Sequence, residues 1–272
     1  MKVSVIIPAF NEEDVIKICL ESLKKQSYKD MEVIVVDDGS TDRTRELINE
    51  VILLIQNHKG PGEARNLGAK QAKGEILVFV DADMTFDKDF IKELIEPIIT
   101  EKSKGTFSKD EKVSNWDNIW AKCWNINEGW EDGKRHPQNY PDTQKVFRAI
   151  LKSEFDKVNG YDSGGYYTDD WTLSQKLGYL ATSTTGKFYH ENPATLSEVF
   201  KQAKWAAKRP YKLGVLGNII ALIRASLIVS ILVGFWKALG SRNIKFFIFK
   251  IIYDLGTFFG ILSYTLSGKG SK

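Results

Sequence analysis

Two aspartates, Asp81 and Asp83, stand two apart at the end of a strand-forming run, Glu75-Ile76-Leu77-Val78-Phe79-Val80. Carboxylates so placed can hold a divalent cation against a diphosphate, with Asp83 a direct ligand and Asp81 reaching the metal, its water or a ribose. A second acidic strand end, Val33-Ile34-Val35-Val36-Asp37-Asp38-Gly39-Ser40, lies upstream. There Asp38 can accept from a ring N–H of uracil or from base amino groups, and Gly39 lets the backbone approach a ligand closely. Pro8-Ala9-Phe10-Asn11-Glu12-Glu13 offers further acceptors for a base or ribose. Arg65 falls near a helix start, an end already favourable to anions. Jointly these residues point to an enzyme that handles nucleotide-activated donors. Singly, the acidic pair also fits a solvated turn, and Arg65 an ordinary surface residue.

The elements that must position them follow from pattern and punctuation. Residues 2–8 read as a buried strand ended by Pro8. Asn11 reads as the N-cap of a helix over 12–26, in which Val15, Ile16, Cys19, Leu20 and Leu23 follow 3-4 spacing. Next come a strand at 32–36, a helix capped by Ser40 or Thr41 and running to Val51, and a short strand at 52–55. The loop Lys59-Gly60-Pro61-Gly62 leads to a helix over 63–73 stopped by Gly74, a strand at 75–80 and a helix over 88–99. This order predicts an α/β fold with a mostly parallel sheet flanked by helices on both faces. In such sheets ligands bind outside the carboxyl ends of the strands, where all these acidic turns fall. Residues 100–145 are polar, rich in Trp and Gly and without clear period, and read as an irregular lid or binding region. Its Trp116, Trp120, Trp124 and Trp130 are either acceptor-stacking residues or, by the 116/120/124 spacing, one face of a core helix. Structure resumes at Val146-Phe147-Arg148, with helices expected over 152–158 and from Asp169 to Leu177.

Val5-Ile6-Ile7-Pro8-Ala9-Phe10-Asn11-Glu12, Val35-Val36-Asp37-Asp38-Gly39-Ser40-Thr41-Asp42, Ala64-Arg65-Asn66 and Asp81-Ala82-Asp83 occur in an order and spacing that resembles the family 2 inverting glycosyltransferases, which have the GT-A fold. The resemblance covers about the first 210 residues. It implies a nucleotide-sugar site built from Pro8, Ala9, Phe10, Glu12, Val36, Asp38, Gly39, Arg65, Asp81, Ala82 and Asp83. It also implies a divalent cation, Mn²⁺ or Mg²⁺, with Asp83 the foremost ligand and Asp81 and His190 the others. Inversion at an anomeric carbon needs one base to take the acceptor proton as that oxygen attacks opposite the leaving diphosphate. The resemblance places the base at Asp170, with Asp169 positioning the acceptor or the loop, although the family more often has Glu at the first position. Capping of a helix N-terminus is the other reading of this pair. Tyr189-His190-Glu191-Asn192-Pro193 and Gln202-Ala203-Lys204-Trp205 are similar to the family as well. The second is one residue shorter than the family's Gln-x-x-Arg-Trp and has Lys for Arg, which argues against a processive polysaccharide synthase. Arg148 is a candidate donor or acceptor contact, His190 a diphosphate or metal contact, and Trp205 a wall of the acceptor site.

Thirty-eight basic and 35 acidic residues give a net charge of +3, a balance that implies no nucleic-acid partner. Two cysteines do not make a disulfide framework and suit a reducing compartment. The N-terminus runs straight into a strand, without a signal-peptide pattern. The division expected is a GT-A catalytic domain over 1–200 and a basic, apolar helical tail over 201–272. In the tail, 213–236 and 244–266 are each about the 20 residues a bilayer span needs. Arg224 and the Lys250/Asp254 pair are costly in lipid, although four-residue spacing allows that pair a salt bridge. A transmembrane hairpin, two interfacial helices and packing on a partner all remain open. The expected activity is transfer from a nucleotide-sugar, UDP-linked rather than GDP-linked, to a lipid-linked or glycan acceptor at the cytoplasmic face of a membrane. The alternative is a non-catalytic membrane scaffold that keeps a nucleotide-sugar pocket. A nucleotidyltransferase or NAD-dependent enzyme would want a Gly-rich loop where Pro8-Ala9-Phe10-Asn11-Glu12 stands.

Overall fold

The computed structural model describes residues 1–162, 169–268 and 270, the side chains of Asp169 and Asp170 excepted. The chain divides into two compact units, one of residues 1–112 and 139–190, the other of 113–138 and 191–272. The first begins with β1 (Val3–Ala9), α1 (Ile16–Lys24), β2 (Met31–Asp37), a 3-10 turn (Thr44–Leu47), β3 (Ile52–Ile55), α2 (Pro61–Gln71), β4 (Ile76–Phe79), β5 (Met84–Phe86) and α3 (Phe90–Ile99). It continues with β6 (Gly105–Ser108) and β7 (Glu111–Val113), the last residue of which falls in the second unit. After α4 (Ile119–Glu128) of the second unit come β8 (Thr143–Gln144), β9 (Ala149–Leu151), α5 (Lys152–Lys157), α6 (Asp169–Leu177), β10 (Ala181–Thr184) and β11 (Phe188–His190).

Eight strands form one sheet in the order β3-β2-β1-β4-β9-β6-β10-β8. β3, β2, β1 and β4 run parallel, and β9 enters antiparallel. β1 and β4 and the second half of β2 are buried because both sheet faces are covered there, whereas the edge strand β3 leaves Ile52 and Ile55 exposed. Val3, Val5 and Ile7 of β1 pack with α1 and α3, whereas Ile6 packs with α2 and α5 on the other side. Register aligns Ala9 with Asp37, so β1 and β2 end together, whereas β4 ends opposite Ile6 and the residues after it, Val80 to Asp83, continue toward that end. Because β9 is antiparallel, its beginning rather than its end arrives there, and Phe79 N–H donates to the Arg148 carbonyl at 2.8 Å. A second sheet, β5-β11-β7, sets Met84 opposite His190.

The expected α/β class with its large helix-flanked sheet is the fold observed, and three local expectations are corrected. Asn11 does not cap α1: the helix starts at Ile16, Asn11 takes a positive φ of 57°, and its Oδ1 accepts from Thr41 N–H at 2.8 Å. The helix expected to run to Val51 is only the 3-10 turn, because Asp42 turns back to accept from Thr44 N–H and Oγ1–H. Residues 100–145, expected to be irregular, contain β6, β7, α4 and β8.

The second unit is helical: α4, α7 (Leu196–Ala207), α8 (Gly214–Arg224), α9 (Leu227–Gly240) and α10 (Lys245–Ser267). Asn118 caps α4, its Oδ1 accepting from Trp120 and Ala121 N–H. The core joins Cys123 and Trp124 of α4 with Val199, Ala238, Phe246 and Phe249. Trp124 is thus a core residue, and Trp120 and Trp130 pack against the same cluster. Lys250 and Asp254 do pair, at 2.8 Å, and Ser230 donates to the same carboxylate at 2.7 Å.

Candidate active site

The ends of β1, β2 and β4 carry the acidic turns, and the segments that follow dictate what each carboxylate meets. Asp81 follows β4 and accepts from two guanidinium groups, Arg65 Nη2 at 2.8 Å and Arg148 Nη1 at 3.1 Å, one on each oxygen. Arg65 arrives on the first turns of α2, and Arg148 immediately before β9. Burial raises the carboxyl pKa of Asp81, but the two arginines outweigh it and hold the group well below the usual carboxylate range. Asp81 thereby fixes the two guanidiniums at the mouth of the sheet.

Asp83 has a different neighbour. Pairing of β5 with β11 brings His190 alongside, with Nε2 2.8 Å from Asp83 Oδ2, while His190 Nδ1 lies 3.2 Å from Glu111 Oε1. The imidazole is held between two carboxylates, an arrangement that fixes a ring as a ligand. Asp83 is 43% exposed and His190 19%, so the pair opens to solvent. A carboxylate oxygen and an imidazole nitrogen are donors that a divalent cation such as Mn²⁺ or Mg²⁺ would accept. Among the described residues no three His, Cys, Asp or Glu side chains form a closed metal cage, so a cation here would depend on the substrate phosphates.

Glu12 completes the acidic rim. Burial, then repulsion from Asp83 and Asp81, pushes its pKa up to about 7. Such accumulated negative charge is what a bound cation relieves.

The β2 end is built differently. Asp37 is buried and accepts from Arg45 Nε at 2.6 Å. Asp38, 3% exposed, accepts from Gln56 Nε2 at 2.6 Å, Lys59 N–H at 2.8 Å and Gly60 N–H at 2.8 Å, with His58 Nδ1 3.0 Å away. Asp38 therefore organises the loop that launches α2 and its Arg65. Gly39 has φ +85°, and a Cβ there would come within 2.9 Å of His58 N. Phe10, 41% exposed, stacks on His58 with centroids 4.0 Å apart, a flat aromatic surface at the β1 end. Pro8 is half-buried, while Ala9, Val36 and Ala82 place their side chains in the core.

The structure thus gathers Glu12, Arg65, Asp81, Asp83, Arg148 and His190 around the ends of β1 and β4. Asp169 and Asp170 open α6, but their side chains, like the whole of 163–168, lie outside the described residues. Trp205 belongs to α7 of the second unit and is 43% exposed. Glu111, Gln56 and His58 were not legible in the sequence. Glu111 sits in the stretch that shows no period, and it meets His190 across 79 residues. The Gln56 and His58 contacts need the loop after β3 to fold back on Asp38.

The family model described as glycosyl transferase family 2 matches residues 4–158. Glycosyltransferase GlyA of Streptococcus pneumoniae is 27% identical over 195 residues, 69% of this chain and 24% of that protein. The UDP-Glc:alpha-D-GlcNAc-diphosphoundecaprenol beta-1,3-glucosyltransferase WfaP of Escherichia coli is 41% identical over 106 residues, 37% of this chain and 42% of that one. The matches therefore span less than half the length of these relatives. Among solved structures, S. aureus TarS 1–349 in complex with UDP-GlcNAc superposes with a TM-score of 0.57 at 20% identity, over 99% of this chain and 93% of that one. Its fold, of the GT-A type, is shared.

Proposed function

The chain belongs to glycosyl transferase family 2, and on that premise we propose that it moves a sugar from a nucleotide-sugar to a lipid-linked or glycan acceptor, with inversion at the anomeric carbon. The carrying observation is the pairing of Asp83 with His190 beside the two guanidiniums that Asp81 holds. That mouth offers positive charge and a cation-ligating pair side by side, the two requirements of a diphosphate leaving group. Asp83 and His190 are the residues that would hold Mn²⁺ or Mg²⁺, which when bound would supply positive charge to the departing diphosphate. Arg65 and Arg148 orient the donor, and the Phe10–His58 surface is available to a base. The acceptor oxygen attacks C1 as the bond from C1 to the diphosphate oxygen breaks, and the electron pair leaves with the nucleoside diphosphate. The acceptor proton passes to Asp170, the base that the family resemblance implies. With a phosphate acceptor no strong base is needed, and Asp170 positions it instead.

A UDP-linked donor is favoured by the relatives: WfaP is named for UDP-Glc, and the TarS neighbour was solved with UDP-GlcNAc. WfaP is also named for a lipid-diphosphate-linked acceptor. Together with the apolar helices of the second unit, this supports action at a membrane, and we assign the cytoplasmic face as part of the proposal. Titration calorimetry of UDP with and without Mn²⁺, joined to transfer assays on wild type and Asp170→Asn, tests the reading. Expected are Mn²⁺-dependent UDP binding in both proteins and turnover about 10²-fold or more lower in the variant. Binding by wild type with no turnover on any acceptor would move the assignment to a scaffold.

A further inference from the structure

The second unit leaves three adjoining helices with apolar stripes to solvent. α8 exposes Val215 and Ile219, α9 exposes Ile228, Leu232 and Trp236, and α10 exposes Ile248. On α9 and α10 these residues lie opposite buried ones, Ser230, Gly234 and Ala238 on α9 and Phe246 and Phe249 on α10, whereas α8 buries none of its residues and exposes Leu216 and Ile223 as well.

We propose that the α8–α9 elbow, with the outer stripe of α10, seats in one leaflet of an anionic membrane without crossing it. This rests on the membrane reading above and deepens it by naming how the chain is held. Length argues first. α8 has 11 residues and α9 has 14, roughly 16 and 21 Å at 1.5 Å per residue, against about 30 Å of hydrocarbon. The two are bent by 56°. α10 has 23 residues and reaches, but its inner side is occupied. A Cβ at Gly256 would come within 2.5 Å of the Phe200 carbonyl, and Gly260 abuts the Lys204 carbonyl in the same way. The α7 backbone therefore rides on α10 with exposed Lys201 and Gln202 on its far side. If α10 crossed, it would draw those polar groups into hydrocarbon. The apolar length of α10 answers instead to the α4, α7 and α9 side chains around it, Phe249 meeting Trp124 edge-on at 6.3 Å.

Charge selects the partner. From Lys201 to Lys272 there are twelve lysines and arginines and one acid, Asp254, which Lys250 already pairs. Exposed Lys212 precedes the elbow, Arg224 sits at its bend and Arg242 follows it. Such a basic rim around an apolar face is matched by anionic headgroups. A second copy docking through the same face would bring like charges together. Trp236, 70% exposed, is a residue type that favours the headgroup level.

The test uses the full chain. Gly240 is exposed, has an ordinary φ, and a Cβ there meets nothing within 4 Å, so Gly240→Cys marks the α9–α10 connection without disturbance. The two native cysteines are buried and give little background. Ser153→Cys, exposed on α5, marks the catalytic unit. In sealed membrane vesicles from producing cells, a membrane-impermeant maleimide should reach both positions from the same side. Opposite sidedness would mean that the helices cross and would overturn the proposal while leaving membrane association intact. Recovery of the chain in the soluble fraction would remove both. Purified chain should float with mixed phosphatidylcholine–phosphatidylglycerol vesicles and more weakly with phosphatidylcholine alone, and Trp236→Glu should lower that binding about tenfold. Equal flotation on neutral vesicles, or unchanged binding by the variant, would overturn the anionic seat.

Discussion

Asp81 and Asp83 look alike in the sequence and behave differently in the fold, and the difference lies in their partners. Asp81 spends both oxygens on Arg65 and Arg148, whereas Asp83 meets a histidine and solvent. Asp83→Ala should abolish Mn²⁺-dependent donor binding and leave the melting temperature nearly unchanged; Mn²⁺-stimulated turnover persisting in that variant would end its assignment as ligand. Asp81→Asn should instead cost stability, about 2 kcal/mol, because two guanidiniums lose their counter-charge in a partly screened site. The folded pKa of Asp81 is depressed, so its contribution is present above the ordinary carboxylate value and lost as pH falls beneath it. Denaturant titrations should therefore separate wild type from Asp81→Asn at pH 7 and bring them together in strong acid. Glu12 has the opposite sign. Its folded pKa of about 7 exceeds the unfolded 4.5, so the metal-free fold binds this proton more tightly and loses stability as pH rises from about 4.5 to 7, where the penalty is complete. Glu12→Gln should flatten that slope, and Mn²⁺ should lower the carboxyl titration followed by NMR. Titration near 4.5 without metal would contradict the charge crowding described above. The sequence supplied these carboxylates but not their pairings, because each partner arrives from a distant element: Arg148 across 67 residues and His190 across 107.

At the scale of elements, buried strands and the helix start at α2 were the legible part, since apolar runs and Gly-Pro punctuation act locally. The helix expected after Ser40 was not, because Asp42 and Thr44 bond to each other and divert the backbone before a second helical turn forms. α4 was legible in part: the Trp120/Trp124 spacing offers a core helix as one reading, but the core it faces, Val199, Ala238, Phe246 and Phe249, comes from chain 75 or more residues later, so its bounds and partners were hidden. α2 shows how an element positions a charge. A Cβ at Gly68 would come within 2.5 Å of Ile6 Cγ2 and 3.3 Å of Val36 Cγ2, so the helix can lie on β1 and β2 only because this residue has no side chain. Gly68→Ala should push α2 outward and cost about 1–3 kcal/mol. It should also weaken UDP binding, because Arg65 travels with the helix. A variant that melts earlier but binds UDP as tightly as wild type would show that Arg65 is set by Asp81 alone.

At the scale of the whole molecule, the tail is a folding partner before it is an anchor. The sequence sets 201–272 apart by composition, yet Phe246 and Phe249 of α10 are fully buried against Cys123, Trp124 and Val199. Removing the tail would expose the Trp-rich α4, so deletion after Arg209 is expected to yield an aggregating protein and not a clean soluble enzyme. A single substitution asks the question more gently. Phe249→Ala leaves a ring-sized cavity in a small core, a change that costs about 3–5 kcal/mol. Each compact unit has its own buried cluster, so the loss should fall on the helices. Hydrogen exchange should show α4, α7 and α10 amides losing protection together while β1, β2 and β4 keep theirs. Because the exposed stripe of α8 and α9 does not include Phe249, vesicle binding should survive wherever the helices still fold. Uniform loss of protection along the chain would instead mean that the sheet depends on the helical unit for its stability, and the first 200 residues could then not be treated as an enzyme to which an anchor has been added.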